Sequence, residues 1–298
     1  MKADKYCFIG NKEVDITSLP HDSRKDDVSK DNILKKFDDN LKAMAKLHDK
    51  FAADGREGII FVFQAIDAAG KDSTIKHVVN GFNPAGVFVY SYKVPTALEL
   101  KHDYLWRFNL NLPKRGEIAI FNRSYYEDVL AVQIHDLWKT YQMPERNLQE
   151  PKEKFFRQRY RQIRDYEEYL YENGFRVVKF FLNVSKEKQK ERFMERIEIP
   201  EKNWKFSAAD LRERALWDQY QSLFNKVISE TASEHSPWYI IPADQKWYTR
   251  YLVSEVMLDT LYKCKSQYPE MSKDAKAELE ECKAILTSEK KVPDIDDK

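Results

Sequence analysis

The sequence predicts an α/β fold, a parallel β-sheet flanked by helices, and three observations point to it. Gly58–Gln64 is a continuous apolar run of strand length, the pattern of a strand buried on both faces. Val87–Val94, Ile118–Asn122, Arg176–Val184 and Trp238–Ile241 also read as strands, each separated from the next by a segment with helical character. That alternation requires crossover connections and therefore a parallel sheet. Helix punctuation falls between the strands: Thr96-Ala-Leu-Glu99 and Ser207-Ala-Ala-Asp210 have capping-box spacing, and Asn173-Gly174 is a helix stop.

Ahead of the first strand, residues 1–55 are charged, with Ile33, Leu34, Phe37, Leu41, Met44, Leu47 and Phe51 at helical spacing over Asn32–Phe51. This predicts an N-terminal helical extension packed on a core at 56–265. From Gln267 the chain turns polar, so 266–298 reads as a C-terminal tail whose last ten residues are disordered. At 298 residues and 42% hydrophobic content one large core is expected. No apolar run approaches membrane-spanning length and the N-terminus lacks a signal-peptide stretch, which predicts a soluble, cytoplasmic protein. Cys7, Cys264 and Cys282 are too scattered for a disulfide framework or a zinc site and read as inert thiols, and the six histidines lack metal-ligand spacing. A net charge of +1 means that any polyanion must be held by a local patch. Neither nucleic acid nor a membrane is expected as a partner.

The strand Gly58–Gln64 runs into Ala65-Ile-Asp67-Ala68-Ala69-Gly70-Lys71-Asp72-Ser73-Thr74, after which Ile75, Val78 and Val79 begin a helical pattern. Strand, small-residue loop and helix in that order surround an anion with backbone N–H groups and a helix N-terminus, and Lys71 adds a charge that follows a phosphate. The match to G-x-x-x-x-G-K-[ST] is imperfect: Ala65 replaces the first glycine, and Asp72 replaces the hydroxyl residue that holds Mg²⁺, leaving Ser73 or Thr74 as out-of-register substitutes. Asp67 would repel a naked phosphate, but it suits a site where Mg²⁺ lies between them. It reads as a metal ligand or a base, or else as a turn residue bonding its own backbone.

At the carboxyl end of the strand Ile118–Asn122 stands Arg123-Ser-Tyr-Tyr-Glu127-Asp128, which should face the phosphate loop. Arg123 can clamp phosphate, and Asp128 or Glu127 can supply the metal ligand that Asn122 cannot. Together with Asp67–Asp72 and Pro200-Glu-Lys-Asn-Trp-Lys-Phe-Ser207, this segment resembles the polyphosphate kinase 2 family over roughly residues 30–265. The resemblance implies a P-loop kinase fold like that of thymidylate kinase, with a helical lid, and inorganic polyphosphate in the donor role of ATP. It also implies that Asp67, Lys71, Arg123 and Asp128 carry metal and phosphate. Tyr126-Glu127-Asp128 resembles the class III subgroup, which accepts AMP and ADP, whereas the ADP-specific subgroup tends to carry Asn where Glu127 stands.

Between Lys186 and Arg214 lie nine basic and seven acidic residues, mostly a solvated face. Arg192 and Arg196 differ: they stand four apart on one helix face before the Pro200 break, where a closing lid needs cations. Residues 71–123 hold eight Lys or Arg against four Asp or Glu, a local track for a long polyanion, and Lys76 on the loop's helix either meets a second phosphate or is an ordinary surface lysine. Phe155, Phe156, Tyr160, Ile163 and Tyr166 recur at helical spacing as core packing. The expected activity is Mg²⁺-dependent, reversible phosphoryl transfer from polyphosphate to ADP or AMP, by a homo-oligomer, dimer or tetramer. The competing readings are an ATP-dependent nucleoside monophosphate kinase of thymidylate kinase type and a non-catalytic polyanion-binding module.

Overall fold

The computed structural model describes residues 2–10, 12–26 and 28–288, so the ten C-terminal residues expected to be disordered lie outside the described residues. Six strands form one sheet: β1 (Cys7–Phe8), β2 (Gly58–Gln64), β3 (Val87–Ser91), β4 (Ile118–Asn122), β5 (Phe175–Asn183) and β6 (Trp238–Pro242), in the spatial order β1-β6-β5-β2-β4-β3. All neighbours are parallel except β1, which runs antiparallel to β6 at one edge. Every residue of β2 is buried, as the continuous apolar run requires of a strand covered on both faces.

Numbering only helices of two turns or more, the chain carries α1 (Lys30–Asp54), α2 (Lys71–Val78), α3 (Lys152–Glu172), α4 (Lys186–Glu198), α5 (Ala208–Ala215), α6 (Trp217–Thr231), α7 (Lys246–Lys263) and α8 (Lys273–Ser288). α1 buries Ile33, Phe37, Met44 and Phe51 and packs along α7. Phe155, Phe156, Tyr160 and Ile163 of α3 lie in the core, and Tyr166 is half-buried against it. Gly174 ends α3 with φ +83°, a conformation that favours glycine. Among the described residues no helix is long and apolar enough to cross a membrane.

Some sequence expectations shift. The strand read as Val87–Val94 stops at Ser91, and Val94 is 88% exposed beyond it. Thr96 and Glu99 do form the reciprocal cap, Thr96 N donating to Glu99 Oε2 at 2.6 Å and Glu99 N to Thr96 Oγ1 at 3.3 Å, but they open only a 3₁₀ turn, Glu99–Lys101. β1, two residues long, is too short to carry an alternation signal and was not foreseen. The tail expected at 266–298 contains a 16-residue helix, α8, with no buried residue.

β2 sits at the sheet's switch point, with β4 on one side and β5 on the other. The loops after β2 and β4 therefore meet at the carboxyl edge, where open α/β sheets bind ligands. Beneath that edge, Lys179 of β5 and Glu167 of α3 form a fully buried ion pair at 2.5 Å. Glu167 also accepts from the hydroxyls of Tyr125 and Tyr126, both at 2.8 Å, and of Ser236 at 2.7 Å, while Lys179 donates to Thr231 O at 2.8 Å. These bonds fix the 3₁₀ turn Tyr125–Asp128 beyond β4. Removing one member of such a pair leaves an uncompensated buried charge, so Glu167→Ala should cost roughly 3–5 kcal/mol of stability. Denaturant titration against the parent chain measures this, and an unchanged midpoint contradicts it.

Candidate active site

The loop between β2 and α2 turns through Ala68 at φ +60° and Gly70 at φ +101°. A side chain at Gly70 would be strained, and its Cβ would stand 3.6 Å from Arg192 Nη1. The first-turn N–H groups of α2 have no intrahelical partner and form the anion-facing end of the helix. The loop's carbonyls are tied elsewhere. Gln189 Nε2 of α4 donates to Asp67 O at 2.9 Å, and Arg192 Nη1 donates to Ala68 O and Ala69 O at 2.9 and 2.7 Å. Arg192 Nη2 reaches back to Ala243 O and Asp244 O beyond β6, at 2.7 and 3.1 Å. Lys71 Nζ donates to Ala65 O at 2.9 Å.

This floor opens into a cavity of about 710 Å³ lined by loop residues 67–73, Asn122, Arg123, Arg192, Arg196 and Lys246, among others. Eight Lys or Arg line it against four Asp or Glu. Burial pushes the Lys71 ammonium below its usual range, with Arg123 adding to the shift and Asp67 opposing it. A negative charge placed beside Lys71 would oppose both effects. Arg123 occupies the left-handed region at φ +63°, donates through Nη2 to Asp67 Oδ1 at 2.9 Å, and faces Glu127 Oε2 at 3.8 Å. Burial works against its charge, but Glu127 and Asp67 more than offset that.

The structure sorts the residues singled out from sequence. Asp67, Ala68, Ala69, Gly70, Lys71, Asp72, Ser73, Arg123, Arg192 and Arg196 share the cavity. Between the two hydroxyls left open, Ser73 lines the cavity, held by Arg250 Nη2 at 2.9 Å, while Thr74 is buried beneath. Asp72 accepts from Asn122 Nδ2 at 2.6 Å, joining the loop to the end of β4. Lys76 is exposed and does not line the cavity, in line with its surface-lysine alternative. Arg192 is not a free cation of a closing lid: it is 6% exposed, and its two terminal nitrogens reach four backbone carbonyls. Arg196 is more accessible and pairs with Asp210 Oδ2 at 3.3 Å.

Asp128 lies elsewhere than expected. It is seated in an adjoining cavity of about 420 Å³, and the phosphate-loop cavity does not include it. There it accepts from the Tyr141 hydroxyl at 2.5 Å and pairs with Arg159 Nε at 3.1 Å. Burial pushes its carboxyl above the usual range despite Arg159 and Tyr141. The second carboxylate facing Asp67 across the first cavity is Asp210 of α5, raised by burial and by the charge of Asp67. The adjoining cavity is rich in aromatic and apolar walls, among them Leu100, Tyr104, Phe108, Tyr125, Val132 and Met143. Tyr92, Lys93, Val94 and Arg123 line both cavities, so the two adjoin at Arg123.

Sequence reasoning missed Gln189, Asp210 as a cavity carboxylate, and the cations Lys246 and Arg250. Lys246 and Arg250 stand four apart at the start of the helix after β6, a strand whose carboxyl end joins the same edge; that placement was the available signal. Gln189 gave none, because an uncharged side chain on a charged helix reads as surface. All three cysteines are free: Cys7 is half-buried, Cys264 is buried and its thiol pushed up to about 12 by burial, and Cys282 is exposed.

The sequence model of the polyphosphate kinase 2 family matches residues 27–269. An ADP-polyphosphate phosphotransferase of Rhodopseudomonas palustris is 48% identical over 240 residues, which is 80% of this chain and 82% of that protein. An AMP/ADP-polyphosphate phosphotransferase of Meiothermus ruber is 44% identical over 227 residues, 76% of this chain and 80% of that one. Among solved structures, polyphosphate kinase 2 from Arthrobacter aurescens TC1 superposes with a TM-score of 0.83 at 31% identity, covering 96% of both chains.

The carbonyl ties make a prediction separate from chemistry. Arg192→Leu leaves four carbonyls without their donor and should destabilise the ligand-free protein by about 3 kcal/mol or more, against about 1–3 for Gln189→Leu. Thermal unfolding of both variants checks the order, and equal stability of Arg192→Leu and the parent contradicts it.

Proposed function

Since the chain belongs to the polyphosphate kinase 2 family, we propose that it transfers phosphoryl groups from inorganic polyphosphate to ADP and AMP, reversibly and with Mg²⁺. The observation that carries this reading is the meeting of two unlike cavities at Arg123. The larger has an excess of four cations, as a phosphate chain requires. The smaller, with aromatic and apolar walls and a few polar groups, suits a nucleoside whose phosphate reaches the shared boundary.

Phosphoryl transfer asks the protein for positioning and charge neutralisation. In this reading the loop N–H groups and Lys71 hold the donor phosphates, and Arg123 lies against the group in transfer. Lys93 stands at the same boundary, and Arg196, Lys202 and Lys205 cover the chain from the lid side. The acceptor phosphate oxygen is already ionised, so no side chain needs to remove a proton. Glu127 faces Arg123 from the acceptor side and sets which phosphate arrives there.

The donor set fits Mg²⁺. Asp67 and Asp210 offer carboxylate oxygens to one cavity, and no described cluster of three ligands forms a complete cage. Mg²⁺ is held in this way, by one or two carboxylates with phosphate oxygens and water. When bound it neutralises charge on the donor phosphates. Asp67 is the ligand expected from sequence; Asp128, engaged by Arg159 and Tyr141, gives up that role here to Asp210.

Purified chain supplied with polyphosphate, Mg²⁺ and ADP, with no ATP added, should form ATP, and AMP should also be phosphorylated. Strict dependence on added ATP would favour a conventional monophosphate kinase, and binding without turnover would leave only a polyanion-binding module. Lys71→Ala and Arg123→Ala should each lose on the order of 10³-fold in rate, and a chelator should abolish turnover. Glu127→Asn should lower the AMP rate relative to ADP, and an unchanged ratio would refute the subgroup assignment.

A further inference from the structure

α8 is the only helix of three turns or more among the described residues that buries no residue, and it holds Leu279, Ile285 and Leu286 at 52, 55 and 67% exposure. A lone helix of this length is marginal in water unless an apolar face is covered. We propose that α8 is a self-association element, pairing in parallel and in register with α8 of a second copy of this chain.

The occupant is identified by spacing and charge. Ala275, Leu279, Cys282 and Leu286 are separated by four, three and four residues, the a/d seam of a two-stranded coiled coil. Leu279 and Leu286 take a positions, and the small Ala275 and Cys282 take d. On the flanks, Glu278 falls at g and Lys283 at the following e. In a parallel pair, g of one helix faces the next e of its partner, so two-fold symmetry gives the Glu278–Lys283 contact twice. An antiparallel pair sets e against e and brings the like charges of Lys276 and Lys283 together. Within the chain, Lys283 is only 3.8 Å from Glu280 on solvated side chains, a pair too weak to compete. Ile285, at g, widens the apolar stripe.

The full-length chain tests this. Light scattering should show Leu279→Asp/Leu286→Asp falling to a smaller assembly than the parent, with its thermal midpoint unchanged because α8 buries nothing in the core. Glu278→Lys should weaken association, and adding Lys283→Glu should restore it. A parallel in-register pair sets the two Cys282 side chains opposite each other. Copper–phenanthroline, accepting two electrons as two thiols release two protons, should then give a covalent dimer that Cys282→Ser abolishes. An unchanged mass for the Leu279/Leu286 variant, or no Cys282-dependent dimer, would overturn the proposal.

Discussion

The site rests on how four backbone carbonyls are disposed of. A loop that offers N–H groups to phosphate must point its C=O groups somewhere, and any that faced the ligand would repel it. Here Gln189 and Arg192 take the carbonyls of Asp67, Ala68 and Ala69, and Lys71 takes that of Ala65. These bonds, most of them charge-assisted, stand against two left-handed residues, Ala68 and Arg123, each costing about 1–3 kcal/mol. The same ties add to the cavity's excess of cations, since they turn the negative ends of the loop's peptide dipoles away from it.

The second constraint lies under the sheet edge. Arg123 is held in a strained conformation by the turn next to it, where Tyr125 and Tyr126 are pinned by Glu167, whose charge is balanced by Lys179. A buried ion pair is weak evidence for stability, but this one specifies geometry, fixing the turn that places Arg123 at the boundary of the two cavities and Glu127 in the second. Core and site are thus one network, running from β5 through α3 to the end of β4.

Much of this was legible in sequence. The buried strands announce themselves by unbroken apolar runs, and Gly58–Gln64 and Ile118–Asn122 have the predicted bounds, each preceded by a glutamate and closed by a polar residue, Gln64 or Asn122. That the loop and Arg123 meet at one cavity was legible because each follows a strand that ends at the same sheet edge. What escaped depends on contacts between distant segments. Asp128 looks like a metal ligand in a string beside Arg123, and only the packing of Arg159 and Tyr141 seats it in the neighbouring cavity. Arg192 looks like a mobile surface cation until its four carbonyl partners, contributed by two separate loops, are in view. α8 was hidden by composition: so many charges surround its seam that the segment reads as tail before its spacing is counted.

Because Gln189 and Arg192 fasten α4 to the phosphate loop, α4 cannot swing without dismantling the floor of the site. At the far end, Arg214 is likewise fixed to Lys186 O and Gln189 Oε1, at 2.8 and 2.6 Å. Between these anchors the segment 199–213 is held by Arg196–Asp210 and by Glu213–His135 at 3.1 Å. Displacing residues 199–213 would break those two pairs and leave the bonds of Gln189 and Arg192 to the loop intact.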